Sequence, residues 1–182
     1  MHSLILTVLS IALLGSVTFA TLQYLPADLE IAQDIEQEVK EGFSSLEASW
    51  EGYRRANQTF KWNCETTTGS TGETFEDCNR VVDNPGYLPS ASWEASLFTQ
   101  YGFKPATPNN GTWSYSNNGA GDIYFCLSGS FTGPTIKGLN RVNDDLPPNQ
   151  FIINSSCGIK SDANIADDHS GPVAVTFWIK QA

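Results

Sequence analysis

Charge is missing from the start of this chain: from Met1 to Ala27 there is no Asp, Glu, Lys or Arg. Basic residues are scarce throughout, with 10 Lys and Arg against 20 Asp and Glu and a net charge of −10. Nucleic acid and anionic lipid repel such a surface, so neither is expected as a partner. Histidine occurs only as His2 and His169. The neighbours Asp167, Asp168, His169 and Ser170 cannot line up as nucleophile, base and orienter, because adjacent side chains in a loop diverge. No G-x-S-x-G elbow, P-loop or G-x-G-x-x-G occurs, and no pair of carboxylates stands out as a glycosidase dyad. None of the four cysteines forms a CxxC pair, which removes the usual spacing of zinc ribbons and thioredoxin-like sites. No internal repeat is present. These absences leave no catalytic residue, cofactor or metal to nominate, and the chain is expected not to be an enzyme.

What is present is a folded domain. Hydrophobic residues make up 40% and aromatics 12% of 182 residues, enough for one core with an appended arm. Residues 1–27 read as an apolar helical segment, and the run from Leu4 to Leu25 has the length needed to cross a bilayer or lie in a filament core. A secretory signal cut after Ala20 is the alternative, leaving a secreted binding module of lectin-like character. Pro26, in "LQYLPADLEIAQ", is expected to kink one continuous helix.

Residues 28–182 read as the globular domain. Leu29, Ala32, Ile35, Val39, Phe43, Leu46, Trp50 and Tyr53 recur every three or four positions, one stripe of an α-helix over 28–56. Glu30, Asp34, Glu36, Glu38, Glu41, Glu47 and Glu51 fall between them as a solvated face, with Asp28 as a candidate N-cap. At 1.5 Å per residue this helix spans roughly 43 Å, or roughly 80 Å if fused to the apolar segment. From 57 to 182 turn formers dominate a loop-rich β region. "TWSYS", "DIYFCLSG", "QFIINSS" and "VAVTFWIK" read as strands and "PTIKGLNRVNDDLP" as a short helix. The fold class is therefore α+β, a long N-terminal helix packed on an antiparallel sheet.

Four cysteines in a chain with an export or anchoring segment suggest two disulfides, and three pairings are open. The favoured one joins Cys64 to Cys78 around the polar loop "ETTTGSTGETFED" and Cys126 to Cys157 between two strand-like segments. Asp162, Asn164, Asp167 and Asp168 offer hard oxygen ligands at nearly alternate spacing, but without the glycine and closing glutamate of an EF-hand, so a solvated acidic turn is the default over calcium. Trp62, Trp93, Trp113 and Tyr115 lie in or beside turn-rich segments; they are expected to fill the core, with a sugar- or protein-binding platform as the competing reading. Sequons at Asn57, Asn110 and Asn154 match what chance allows in an Asn/Ser/Thr-rich chain.

The layout as a whole resembles a type IV pilin or pseudopilin. "LILTVLSIALLGSVTFATLQYLP", the stripe from Leu29 to Tyr53, Cys126 with Cys157, and the segments "YFCLSG", "LPPNQFIINSSCG" and "VAVTFWIK" carry the resemblance. It implies a filament subunit held in the bacterial inner membrane before assembly. Such a subunit contacts other pilin subunits through its N-terminal helix and exposes its head to a surface receptor or a secreted protein. Pilins usually carry a glutamate at the fifth mature position, whereas Ile5 and Leu9 stand at the two positions that counting allows here. That departure points to a minor or tip-located subunit, which need not dock beneath another. A short basic leader ending in glycine is expected upstream of Met1.

Overall fold

A computed structural model describes residues 27–181 apart from 101, 103, 109–110, 120, 148, 164 and 170. The apolar segment 1–26, with Pro26 and its expected kink, lies outside the described residues, as do Asn110 and Asn164.

Helix α1 runs Ala27–Asn57 and buries Ala32, Ile35, Val39, Phe43, Leu46 and Trp50, the stripe that the sequence periodicity marks. Asp28 is already helical and sits in the first turn with Glu30, so it is not the N-cap expected there, though its charge still suits the helix dipole. Arg54 and Arg55 occupy the last turn. Among the described residues no helix is long and apolar enough to cross a membrane.

Strands β1 (Thr59–Thr68) and β2 (Thr74–Asn84) form a separate antiparallel hairpin. Strands β3 (Thr112–Asn117), β4 (Ile123–Ser130), β5 (Phe151–Asn154) and β6 (Pro172–Lys180) form an antiparallel sheet in the order β3-β4-β6-β5. Helix α2, Gly133–Asp145, crosses from β4 to β5 and lies beside α1. It buries Ile136, Leu139 and Val142, with Leu146 packed partly against the core.

The front of the sheet carries Phe125, Leu127, Phe151, Val175 and Phe177, which meet the α1 stripe in one core. Phe43 is its pivot, edge-on to Trp113 at 4.8 Å and to Phe151 at 5.7 Å and stacked on Phe177 at 5.0 Å. Burying a side chain of this size contributes roughly 1.5–3 kcal/mol. Where α2 crosses α1 the chain places Gly138, since a Cβ there would lie 2.6 Å from the Ala32 carbonyl oxygen. The back of the sheet is also covered. Cys126 on β4 is bridged to Cys157, which draws the segment after β5 across Tyr124, Thr176 and Trp178. Both faces of β6 are therefore buried from Val173 to Trp178.

Two polar linkages fix the layers. Glu36 accepts from Lys40 at 2.8 Å and from Arg141 of α2 at 2.7 Å. Glu36 is thus a tie between the two helices and not part of a uniformly solvated face. Those two cations hold its carboxyl below the usual range, Lys40 first and Arg141 second. Trp50 Nε1 donates to the Tyr115 hydroxyl at 3.0 Å, which donates to the Leu88 carbonyl at 3.0 Å. Burial pushes the Tyr115 phenol up to about 12, so it remains a donor.

Candidate functional site

The hairpin departs from the sequence expectation most. The segment 65–77 is expected as a polar loop closed by one disulfide; most of it instead belongs to two long paired strands, Thr59–Thr68 and Thr74–Asn84, that no strand expectation covered. Every residue of β1 is exposed. Their alternation is hidden because neither face is buried, so apolar residues do not recur with period two. A two-stranded hairpin is marginal on its own in water. Here Cys64 and Cys78 face each other in the ladder and are bonded. Closing a loop of this length restricts the unfolded chain by about 3 kcal/mol. Gly69 N–H to the Glu73 carbonyl at 2.7 Å and Gly72 N–H to the Gly69 carbonyl at 3.0 Å shape the tip. At the base, Gly86 takes φ +72° against the backbone of the α1 C-terminus, where a Cβ would collide with the Arg54 carbonyl.

Cross-strand register sorts the hairpin into two faces. Lys61, Asn63 and Glu65 pair with Val81, Asn79 and Asp77 on one, and Lys61 reaches Asp83 at 2.9 Å. Phe60 pairs with Val82, Trp62 with Arg80 and Cys64 with Cys78 on the other. On that second face Trp62 is 69% exposed, Val82 50% and Phe60 43%. The Arg80 guanidinium lies 3.9 Å over the Phe60 ring. Phe60, Trp62 and Arg80 border a hollow of 530 Å³ with Gln58, Thr59 and Lys61. Trp93, Trp113 and Tyr115 are buried as expected, but Trp62 is not, and the core-filling expectation for it is corrected. Its signal in the sequence was the surrounding "TFKWNCETTTG", too polar to supply a core around an indole.

The acidic loop before β6 does not gather its carboxylates. Asp162 accepts from Asn143 Nδ2 at 2.6 Å and from the Ile153 N–H at 3.2 Å. Asp167 accepts from Asn140 Nδ2 at 2.9 Å, and Asp168 is exposed. Two asparagines of α2 thus hold the loop down. Among the described residues no three His, Cys, Asp or Glu side chains converge in the manner of a metal site. His169 is half-buried in the same turn, its N–H bonded to the Ala166 carbonyl at 3.0 Å. Asn57 is exposed at the α1 C-terminus, and the Asn154 amide donates to the Ser161 carbonyl at 2.8 Å.

No protein-family model, curated protein or solved structure matches this chain.

Proposed function

We propose that the chain is a structural subunit of a type IV pilus or related secretion pseudopilus, minor or tip-located, with no catalysis of its own. The observation that carries this reading is the continuity at residue 27. An amphipathic helix of 31 residues forms the spine of the head, and the sequence directly before it is an apolar run without a charged side chain. An arm of that composition is driven out of water into a bilayer or a bundle of its own kind. The α+β head with its two disulfides is consistent with a subunit exposed outside the cytoplasm. Ile31 stays 43% exposed on the first turns of α1, a contact point for a neighbouring helix.

In this role the N-terminal segment holds the protein in the bacterial inner membrane until assembly, then packs among other pilin subunits. The head serves adhesion or the initiation of assembly. The test is a photo-cross-linking residue at position 31 in cells that make the full chain. Adducts with helical segments of other filament subunits are expected. A protein recovered free outside the inner membrane, beginning at Thr21 and forming no adduct, would support the alternative of a secreted binding module.

A further inference from the structure

We propose that the Phe60–Trp62–Arg80–Val82 face of the hairpin is a binding site for a carboxylated sugar of a cell-surface or extracellular glycan. Three observations converge on it. First, Trp62 is 69% exposed in a chain whose other described tryptophans are buried. An indole left open on a flat strand face offers an apolar plane on which the C–H groups of a pyranose ring can stack. Second, Arg80 stands directly opposite Trp62 in the ladder, with its guanidinium held on the Phe60 ring. Among the described residues no hydrogen bond or ion pair engages it, whereas the nearby Lys61 is paired with Asp83. In a molecule of net charge −10 a guanidinium that rests on a ring without an ion pair, beside an open indole, favours an anionic ligand, and its fork matches a carboxylate. Third, the hollow beside them is lined by Gln58 and Thr59 as well as the rings, which supplies hydrogen-bonding groups for sugar hydroxyls.

The same face is too small for a stable protein interface. Its three apolar side chains expose well under the ~800 Å² that each partner of such a complex buries. The Cys64–Cys78 bridge is the next pair on the same face, two positions along the ladder from Trp62, and holds the two strands together before a ligand arrives, which lowers the ordering cost of binding. The site needs only an accessible hairpin and does not depend on assembly into a filament.

The test follows the Trp62 indole N–H resonance, assigned by its loss in Trp62→Ala, during titration of the whole protein. The probes are 3′-sialyllactose against lactose and tetragalacturonate against cellotetraose, so the two arms separate sialic from uronic acids. A saturable shift is expected with a carboxylated probe, at least tenfold tighter than with its neutral counterpart. Trp62→Ala should abolish binding of the acid sugar, read from the Val82 methyl signals. Arg80→Gln should retain weak binding but lose the tenfold preference. An unchanged Trp178 indole signal and an intact Cys64–Cys78 bond certify that each variant is folded. The proposal is overturned if no probe saturates, if neutral and acidic sugars bind alike, or if Arg80→Gln keeps the preference. It is also overturned if Trp62→Ala alters only the sedimentation coefficient, which would make the face a contact between copies.

Discussion

Replacing Gly138 by alanine tests how closely the two helices are joined. A Cβ at this position lies 2.6 Å from the Ala32 carbonyl oxygen and 2.9 Å from both Cβ and Cγ2 of Ile35. Neither the carbonyl nor a β-branched Cβ can swing aside as a flexible side chain would, so α2 must move away from α1. That movement loosens Ile136, Leu139 and Val142, all fully buried. Overpacking of this kind costs about 1–3 kcal/mol, and backbone contact places it at the upper end. Alanine recovers about 1 kcal/mol of helix propensity relative to glycine. The net loss is then about 2 kcal/mol, or roughly 4–8 °C in melting temperature for a domain of this size. Urea unfolding followed by tryptophan fluorescence measures it directly, with an unchanged m-value as the check that the unfolded state is the same. A Gly138→Ala protein as stable as the parent, or more so, would leave the propensity gain unopposed and refute the close crossing of α1 and α2.

Other perturbations read other layers. Cys64→Ser with Cys78→Ser should release the hairpin, raising hydrogen exchange in β1 and β2 while the four-stranded sheet melts nearly as before; removing Cys126–Cys157 should lower the global melting temperature instead. Glu36→Gln should cost about 0.5–1 kcal/mol at neutral pH after solvent screening. Because the folded carboxyl titrates below its ordinary value, its stabilisation is present above pH 4.5 and lost as pH falls through the folded value. The parent and Glu36→Gln curves should therefore converge in acid, and a gap that persists there would contradict the Lys40–Glu36–Arg141 tie. Tyr115→Phe strands Trp50 Nε1 and should cost about 1–3 kcal/mol. In the parent, folding holds this phenol neutral up to about 12. Stability should thus decline above pH 10, where the unfolded chain begins to ionise, and the tyrosinate absorbance of Tyr115 should lag behind that of the other tyrosines.

The stripe from Leu29 to Trp50 was legible because one face of α1 is buried and its residues repeat at the helical period. The four strands of the main sheet were legible for a related reason: "DIYFCLSG" and "VAVTFWIK" concentrate β-branched and aromatic residues between turns. The hairpin escaped notice because both its faces meet water, so pairing geometry and not burial selects its residues. Trp62 then looked like core material by residue type alone, and only the fold shows what surrounds it. Glu36 looked like its solvated neighbours for the same reason. Its partner Arg141 lies 105 positions away, and no local pattern joins the two. Asp162 and Asp167 lie in a ligand-like spacing, yet asparagines three positions apart on α2 take up their oxygens.

The role proposed for the chain turns on whether the apolar segment before residue 27 stays attached to the head. Intact mass with N-terminal sequencing of the mature protein, purified from the cells that make it, decides this most directly. The account predicts a chain that retains the Leu4–Leu25 run, with an N-methylated first residue at or near Met1. A mature protein beginning at Thr21 would contradict it.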